Sequence, residues 1–342
     1  MDKKTIVTLA IAAAIILIVG TGQNVTITDD RQLSGSFDTV TVSGSGNAED
    51  WLEVDGNNAT VKCLRITGQY IHVTGVNVTG CASHGVLITG KHIIFENSSV
   101  HGTVTENGAG KCSGSGGWGS AVKVQVGGED VVIQNNAVYE NCGEGIASTR
   151  GINITINNNM VRDNFSVNIY VDNTRGATVR GNTAKCSNPN YYRNGQPAGG
   201  IGLGAENYSG WGYQLRDILI ENNVMEGCKA IRLYEDSAIA SGSPQNVVIQ
   251  NNQFVNSYQT PLVSVENAVS INNVATVNPT LTPTVTKTAT PTQPVTVTPT
   301  ITPVIVQTFT PTVTKTPKPE VCFTLVPTVT IDGVGRGQVC FK

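Results

Sequence analysis

Val131-Val132-Ile133-Gln134-Asn135-Asn136 returns as Ile154-Thr155-Ile156-Asn157-Asn158-Asn159, as Ile218-Leu219-Ile220-Glu221-Asn222-Asn223 and as Val247-Val248-Ile249-Gln250-Asn251-Asn252. Ala177-Thr178-Val179-Arg180-Gly181-Asn182 is a weaker copy, and the stretches around His92 to Ser98 and Ile71 to Val76 are degenerate earlier ones. The last asparagine of each copy falls at 136, 159, 182, 223 and 252, spacings of 23, 23, 41 and 29. One period of about 23 residues therefore organises the chain, and the longer gaps are insertions.

A second phrase follows each asparagine by about ten residues: Gly85-Val86-Leu87-Ile88, Ala121-Val122-Lys123-Val124, Gly145-Ile146-Ala147-Ser148, Asn168-Ile169-Tyr170-Val171, Gly200-Ile201-Gly202-Leu203, Ala230-Ile231-Arg232-Leu233 and Leu262-Val263-Ser264-Val265. Its second and fourth positions are mostly apolar and its third varies, the alternation of a strand with one buried face. Two or three such strands per period, with Gly or Asn at the corners, predict a right-handed parallel β-helix. Each turn then pairs with the next about 4.8 Å away. Asparagine suits the corners because it tolerates left-handed backbone and its amide both donates and accepts along the stack. The recurring Val, Ile and Asn exclude a leucine-rich repeat.

The chain has 342 residues, only 14% charged, with net charge −3, 37 glycines and 32 asparagines. Clustered Lys and Arg are missing, which excludes nucleic acid as a partner. Residues 1–22 combine Lys3 and Lys4 with an apolar run from Ile6 to Val19. That is the pattern of an export signal, read equally as a cleaved signal peptide or an N-terminal membrane anchor, the chain's sole expected membrane contact. Eight cysteines in an exported chain predict disulfides and an extracellular or cell-surface location.

These phrases, over residues 38 to 275, resemble the right-handed parallel β-helix proteins, the pectate-lyase-like superfamily. That resemblance implies an all-β solenoid and a polysaccharide as partner, without naming a reaction. The Asn-Thr-Asp and Gly-His-Gly pair of the polygalacturonases and the aspartate cluster of the calcium-dependent pectate lyases are both missing. His84-Gly85 is only a fragment of the former.

Four regions are expected: the signal or anchor at 1–22, the β-helix of eight to ten turns at 23–277, a Thr/Pro-rich stalk at 278–319, and a small disulfide-closed hairpin at 320–342 between Cys322 and Cys340. Cys81, Cys142 and Cys228 precede the variable strand at one corner. Cys112 with Cys142 and Cys186 with Cys228 are reasonable pairs, although spacing leaves the connectivity open.

Insertions at Gly102–Gly119 and Lys185–Gly199 leave from the corner before the variable strand, and a third, Ala205–Arg216, leaves from its far end. They carry Trp118, Tyr191, Tyr192, Tyr208, Trp211 and Tyr213, rings suited to the apolar faces of sugars. Between them the outward column of the variable strand reads Lys123, Ala147, Tyr170, Gly202, Arg232, and two residues on Gln125, Thr149, Asp172, Gly204, Tyr234. Lys123, Tyr170, Asp172 and Arg232 are the candidate catalytic residues. For β-elimination of a uronic-acid polymer, a cation neutralises the sugar carboxylate and a base takes the adjacent proton, roles open to Arg232, Lys123 or Tyr170. Gln125, Arg150, Tyr234 and Glu235 complete the substrate-binding set. Glu144 lies too far along the strand from Asp172 to form a hydrolase pair, which leaves Asp172 with Glu235. No cofactor is expected; Asp172 alone offers a place for Ca²⁺. The four histidines lack metal-ligand spacing. A monomer that binds, and as an enzyme cleaves, an extracellular polysaccharide is expected, with a non-catalytic adhesin or spacer as the alternative.

Overall fold

The computed structural model describes residues 16–114, 118–208, 210–234, 242–257 and 259–276, together with the backbone of Cys322–Phe323 and Val339–Cys340. The chain divides into a unit ending at Thr282 and another beginning at Pro283. The first is a right-handed coil in which every strand pairs in parallel with the strand one turn away. A representative turn runs through Glu144–Thr149, Ile152–Asn157 and Met160–Arg162, one strand in each of three sheets. The second sheet stacks nine strands from Leu52–Asp55 to Ala268–Ile271, in line with eight to ten turns.

Inside the coil, identical positions stack on each other. Val73, Phe95, Ile133, Ile156, Val179, Ile220 and Ile249 form one such column, all buried. Removal of these β-branched and aromatic side chains from water stabilises the solenoid, since no turn can cover its own apolar face alone.

The paired asparagines divide the corner between them. The first holds left-handed backbone, with φ of 51 to 56° at Asn97, Asn135, Asn158, Asn222 and Asn251, and Gly181 substitutes for it in the weaker copy. The second is the ladder residue. The Asn159 amide donates to Asn182 Oδ1 at 3.0 Å and to the Ile133 carbonyl at 2.9 Å, and its backbone N–H donates to Asn182 Oδ1 at 2.9 Å. Asn136, Asn182, Asn223 and Asn252 repeat the pattern. A second, shorter ladder at the corner between the third and first sheets links Asn141, Asn164 and Asn168.

Disulfides join Cys112 to Cys142 and Cys186 to Cys228, and a third joins Cys63 to Cys81. The last pair escapes the 23-residue spacing because Thr60–Ile66 pairs with strands of both the third and the first sheet, which shortens the turn. Of the apolar N-terminal segment, residues 16–22 belong to the strand Ile16–Ile27, paired with Arg31–Val42. Residues 1–15 and the Thr/Pro-rich segment lie outside the described residues. Among those described, no helix is long and apolar enough to cross a membrane. In the second unit Cys322–Phe323 and Val339–Cys340 pair antiparallel, with Cys322 opposite Cys340. The disulfide expected there lies outside the described side chains.

Candidate functional site

The second sheet keeps the alternation of a solvated face, buried residues alternating with half-buried ones. In the first sheet that alternation disappears. Ser120–Val124, Glu144–Thr149, Val167–Asp172 and Gly199–Gly204 are buried at every position, outward ones included. Their outward column pairs in the register that the spacing predicts: Lys123 with Ala147, Ala147 with Tyr170, Tyr170 with Gly202, Gly202 with Arg232. The three excursions flank these strands, and the side chains they cover are largely ionisable.

At the centre, Tyr170 and Asp172 meet Glu206 and Tyr208 of the third excursion. The Tyr170 hydroxyl donates to Glu206 Oε1 at 3.0 Å, and the Tyr208 hydroxyl lies 2.7 Å from Asp172 Oδ2 and 3.0 Å from Glu206 Oε2. One phenol thus stands between two carboxylates. Burial, together with the neighbouring Glu206 charge, raises the Asp172 carboxyl from its ordinary 3.8 to about 6, against the Tyr208 hydrogen bond. Burial and the same carboxylates hold both phenols far above their usual range, so they are donors at neutral pH. Gly204 makes this packing possible, because a Cβ there would fall 2.2 Å from the Tyr170 hydroxyl and 2.8 Å from Asp172 Oδ1. Arg150 caps Tyr208 at 4.7 Å from the ring centroid.

Towards the N-terminus, Lys123, two turns away, places Nζ 3.5 Å from Oε2 of Glu144, one turn away, which also accepts from Ser120 Oγ at 2.7 Å. His84 accepts the Ser120 backbone N–H at Nδ1, 3.0 Å, and Arg65 donates to the His84 carbonyl at 2.9 Å. Burial and the charges of Lys123 and Arg65 lower the imidazole to about 4, so His84 is neutral with its proton on Nε2. Arg65, His84, Glu144 and Glu206 all went unassigned in the sequence. Two were legible there: Leu64-Arg65-Ile66 is one more copy of the variable phrase, and Glu206 is the next outward position after Gly202 and Gly204. Glu144, weighed in the sequence only against Asp172, shares the parity of Ile146, yet at the strand's first residue its carboxylate reaches Ser120 and Lys123.

The aromatic residues separate into two groups. Tyr191 is buried, Tyr213 packs against the core, Tyr192 donates to the Cys186 carbonyl at 3.4 Å, and Trp211 lies under the Arg175 guanidinium at 5.0 Å. These rings fasten their excursions to the coil. Trp118 and Tyr234 remain open, at 61% and 36% exposure. Arg193 lies over Trp118 at 4.3 Å, and Tyr234 meets Tyr170 edge-on at 5.8 Å. Arg232 Nη2 donates to Gln259 at 3.1 Å. Gln125 is half-buried beyond its strand, and Glu235 lies outside the described residues. Among the described residues no group of three or more His, Cys, Asp or Glu is placed to hold a metal.

The architecture is similar to that of PfbA, a surface protein and adhesin of Streptococcus pneumoniae, with TM-score 0.52 and 13% identity over 77% of this chain and 87% of that one. An alginate lyase from Paenibacillus sp. aligns with TM-score 0.42 and 13% identity over 73% of this chain and 99% of that one. The A-module of the mannuronan C-5 epimerase AlgE4 of Azotobacter vinelandii aligns with TM-score 0.46 and 15% identity over 77% and 78%. No curated protein matches the chain. A sequence profile of the right-handed beta helix region matches residues 60–203 and 109–282, and with the parallel three-sheet coil this makes the chain a member of the right-handed β-helix family.

Proposed function

We propose that this protein binds an extracellular polysaccharide of acidic sugars across the outer face of the first sheet and acts on it by proton transfer, as a β-eliminating lyase. The observation that carries the reading is the conversion of an outward sheet face into a covered surface holding Lys123, Glu144, Tyr170, Asp172, Glu206 and Tyr208. Burial of such groups costs stability unless chemistry or pairing compensates, and perturbed carboxyls in a walled surface mark functional sites. Tyr170, locked as a phenol that donates to Glu206, fits a hydrogen-bond donor at the reacting centre and not the base. Glu206, half-buried beside Tyr170, fits the base by position. Asp172 is fully buried and positions Tyr208. Lys123 is already matched by Glu144, so Arg232 is the cation available to a sugar carboxylate.

Incubation of the full chain with uronic and neutral polysaccharides tests this, with absorbance of unsaturated products and reducing ends followed together. A joint rise that Tyr170→Phe and Glu206→Gln each reduce at least tenfold is expected. Reducing ends without absorbance would replace elimination by hydrolysis. Neither signal on any polymer, with binding retained, would leave a non-catalytic glycan-binding protein. The clamped rings of Tyr208 and Trp211 favour that second reading, since they behave as wall and not as reactive machinery.

A further inference from the structure

Arg193, Lys229 and Arg232 come from three separate places, the second excursion, the residue after Cys228 and the next first-sheet strand. The Cys186–Cys228 disulfide and the Gly199–Lys229 bridge bring them together. Lys229 pairs with Gly199 and Arg232 with Gly202 on the strand that follows the second excursion, and burial together with the charges of Arg232 and Arg193 lowers the Lys229 amine. None forms an ion pair among the described residues, and Arg232 Nε is buried there without an acceptor. Elsewhere along the coil Arg162 is matched by Glu140 and Lys185 by Glu226, while Arg150 and Arg175, each over an aromatic ring, also keep Nε buried without an acceptor. Like charges gathered without an ion pair among the described residues repel, and an incoming anion relieves that repulsion. Arg193 covers one face of the Trp118 ring at 4.3 Å, and the ring, 61% exposed, keeps apolar surface of sugar size open.

We infer that Arg193, Lys229 and Arg232, with Trp118 beside them, form a carboxylate subsite that holds one uronate residue of the glycan and fixes its register against the Tyr170–Glu206 pair. This inference rests on the glycan reading above and adds to it the residues that select charge. A planar carboxylate accepts from a guanidinium fork while its pyranose ring lies against the indole. Arg193 and Lys229 then act through charge and Arg232 through direct hydrogen bonds.

Calorimetric titration of the full chain with oligouronates of galacturonate, mannuronate and glucuronate, each beside its carboxyl-reduced counterpart, tests the subsite. The acidic form of one series should bind at least tenfold more tightly than its reduced form, and the preference should shrink as salt rises. Arg232→Gln should weaken acidic binding about tenfold or more and Arg193→Gln by less, with the reduced form unaffected and thermal unfolding unchanged. Equal binding of acidic and reduced oligomers, or Gln variants with undiminished acidic affinity, would overturn the subsite while leaving the glycan reading in place. No binding by any oligomer would overturn both.

Discussion

Replacement of Asn182 by alanine isolates the physics of the corner. Its amide donates to the Ile156 carbonyl at 2.9 Å, the Arg180 carbonyl at 3.2 Å and Asn223 Oδ1 at 3.0 Å, while its Oδ1 accepts from both the backbone and the side-chain amide of Asn159. The substitution orphans the buried Asn159 backbone N–H, whose acceptor is Asn182, and strips donors from two carbonyls. One orphaned buried donor costs about 1–3 kcal/mol and each further lost hydrogen bond about 1 kcal/mol, so a loss of about 3–5 kcal/mol is expected. Gly181→Asn is the control. Its neighbours in the stack already place Asn at positive φ, and the closest atom to an added Cβ is Asn158 Oδ1, the end of a movable side chain. That variant should stay within about 1 kcal/mol of the parent. Urea unfolding followed by circular dichroism gives both numbers, and amide exchange at Asn159 reports the orphaned group directly. An Asn182→Ala loss below 1 kcal/mol, or equal losses in the two variants, would refute the division of labour between the two asparagines.

Three more outcomes follow from the same geometry. Because the Asp172 carboxyl titrates near 6 in the folded chain against an ordinary 3.8, the fold binds the extra proton between these values, and stability should fall as pH rises from 4 to 6. Asp172→Asn should remove that component, as thermal unfolding across the range will read. His72 behaves oppositely in origin: burial disfavours its charge, but bonds to Glu53 at 2.7 Å and Glu96 at 3.0 Å prevail and raise it from 6.5 to about 9. Its contribution is therefore complete below pH 6.5 and lost as pH rises through 9, and His72→Gln should flatten stability in that window. Cys186→Ser with Cys228→Ser opens a loop of 42 residues and should cost about 4 kcal/mol in denaturant unfolding by the chain-entropy relation.

How much of the molecule could be read from the chain depends on whether a position answers to its neighbours in the stack or to an excursion. The corner leaving the second sheet shows as a strict Asn/Gly-Asn pair because one residue must take left-handed backbone and the next must complete a buried ladder. The corner entering that sheet is equally left-handed, at Tyr70, His92, Asp130, Asn153, Gly176, Asp217 and Asn246, and five of these seven are Asn, Asp or Gly. The mark is looser than the Asn ladder because the side chains here reach solvent and stack among themselves, as Tyr70 does on His92 at 4.3 Å. In the site, the Lys123–Tyr170–Arg232 register followed from the period alone. The partners that decide its chemistry, Glu206 for Tyr170 and Glu144 for Lys123, depend on how an excursion or a strand end folds back, which periodicity does not encode.

The distribution of charge over the first sheet argues against a purely architectural role for these residues. A covered face held together by electrostatics alone would alternate signs, as Lys123 with Glu144 does. Further along, the signs are segregated instead. Asp172 and Glu206 share the Tyr208 hydroxyl, two acceptors for one proton, and the folded chain tolerates them by raising the Asp172 carboxyl. Arg193, Lys229 and Arg232 form no ion pair among the described residues. Asp172 and Arg232 belong to strands two turns apart, about 10 Å, and on the turn between them Gly202 and Gly204 lie under the Tyr170 and Tyr234 side chains. Exchange of one carboxylate with one cation would relieve both clusters, so their separation costs stability that packing does not require. On the glycan reading proposed above, sugar carboxylates supply counter-charge to the cationic cluster while the C–H bonds beside them face Asp172 and Glu206.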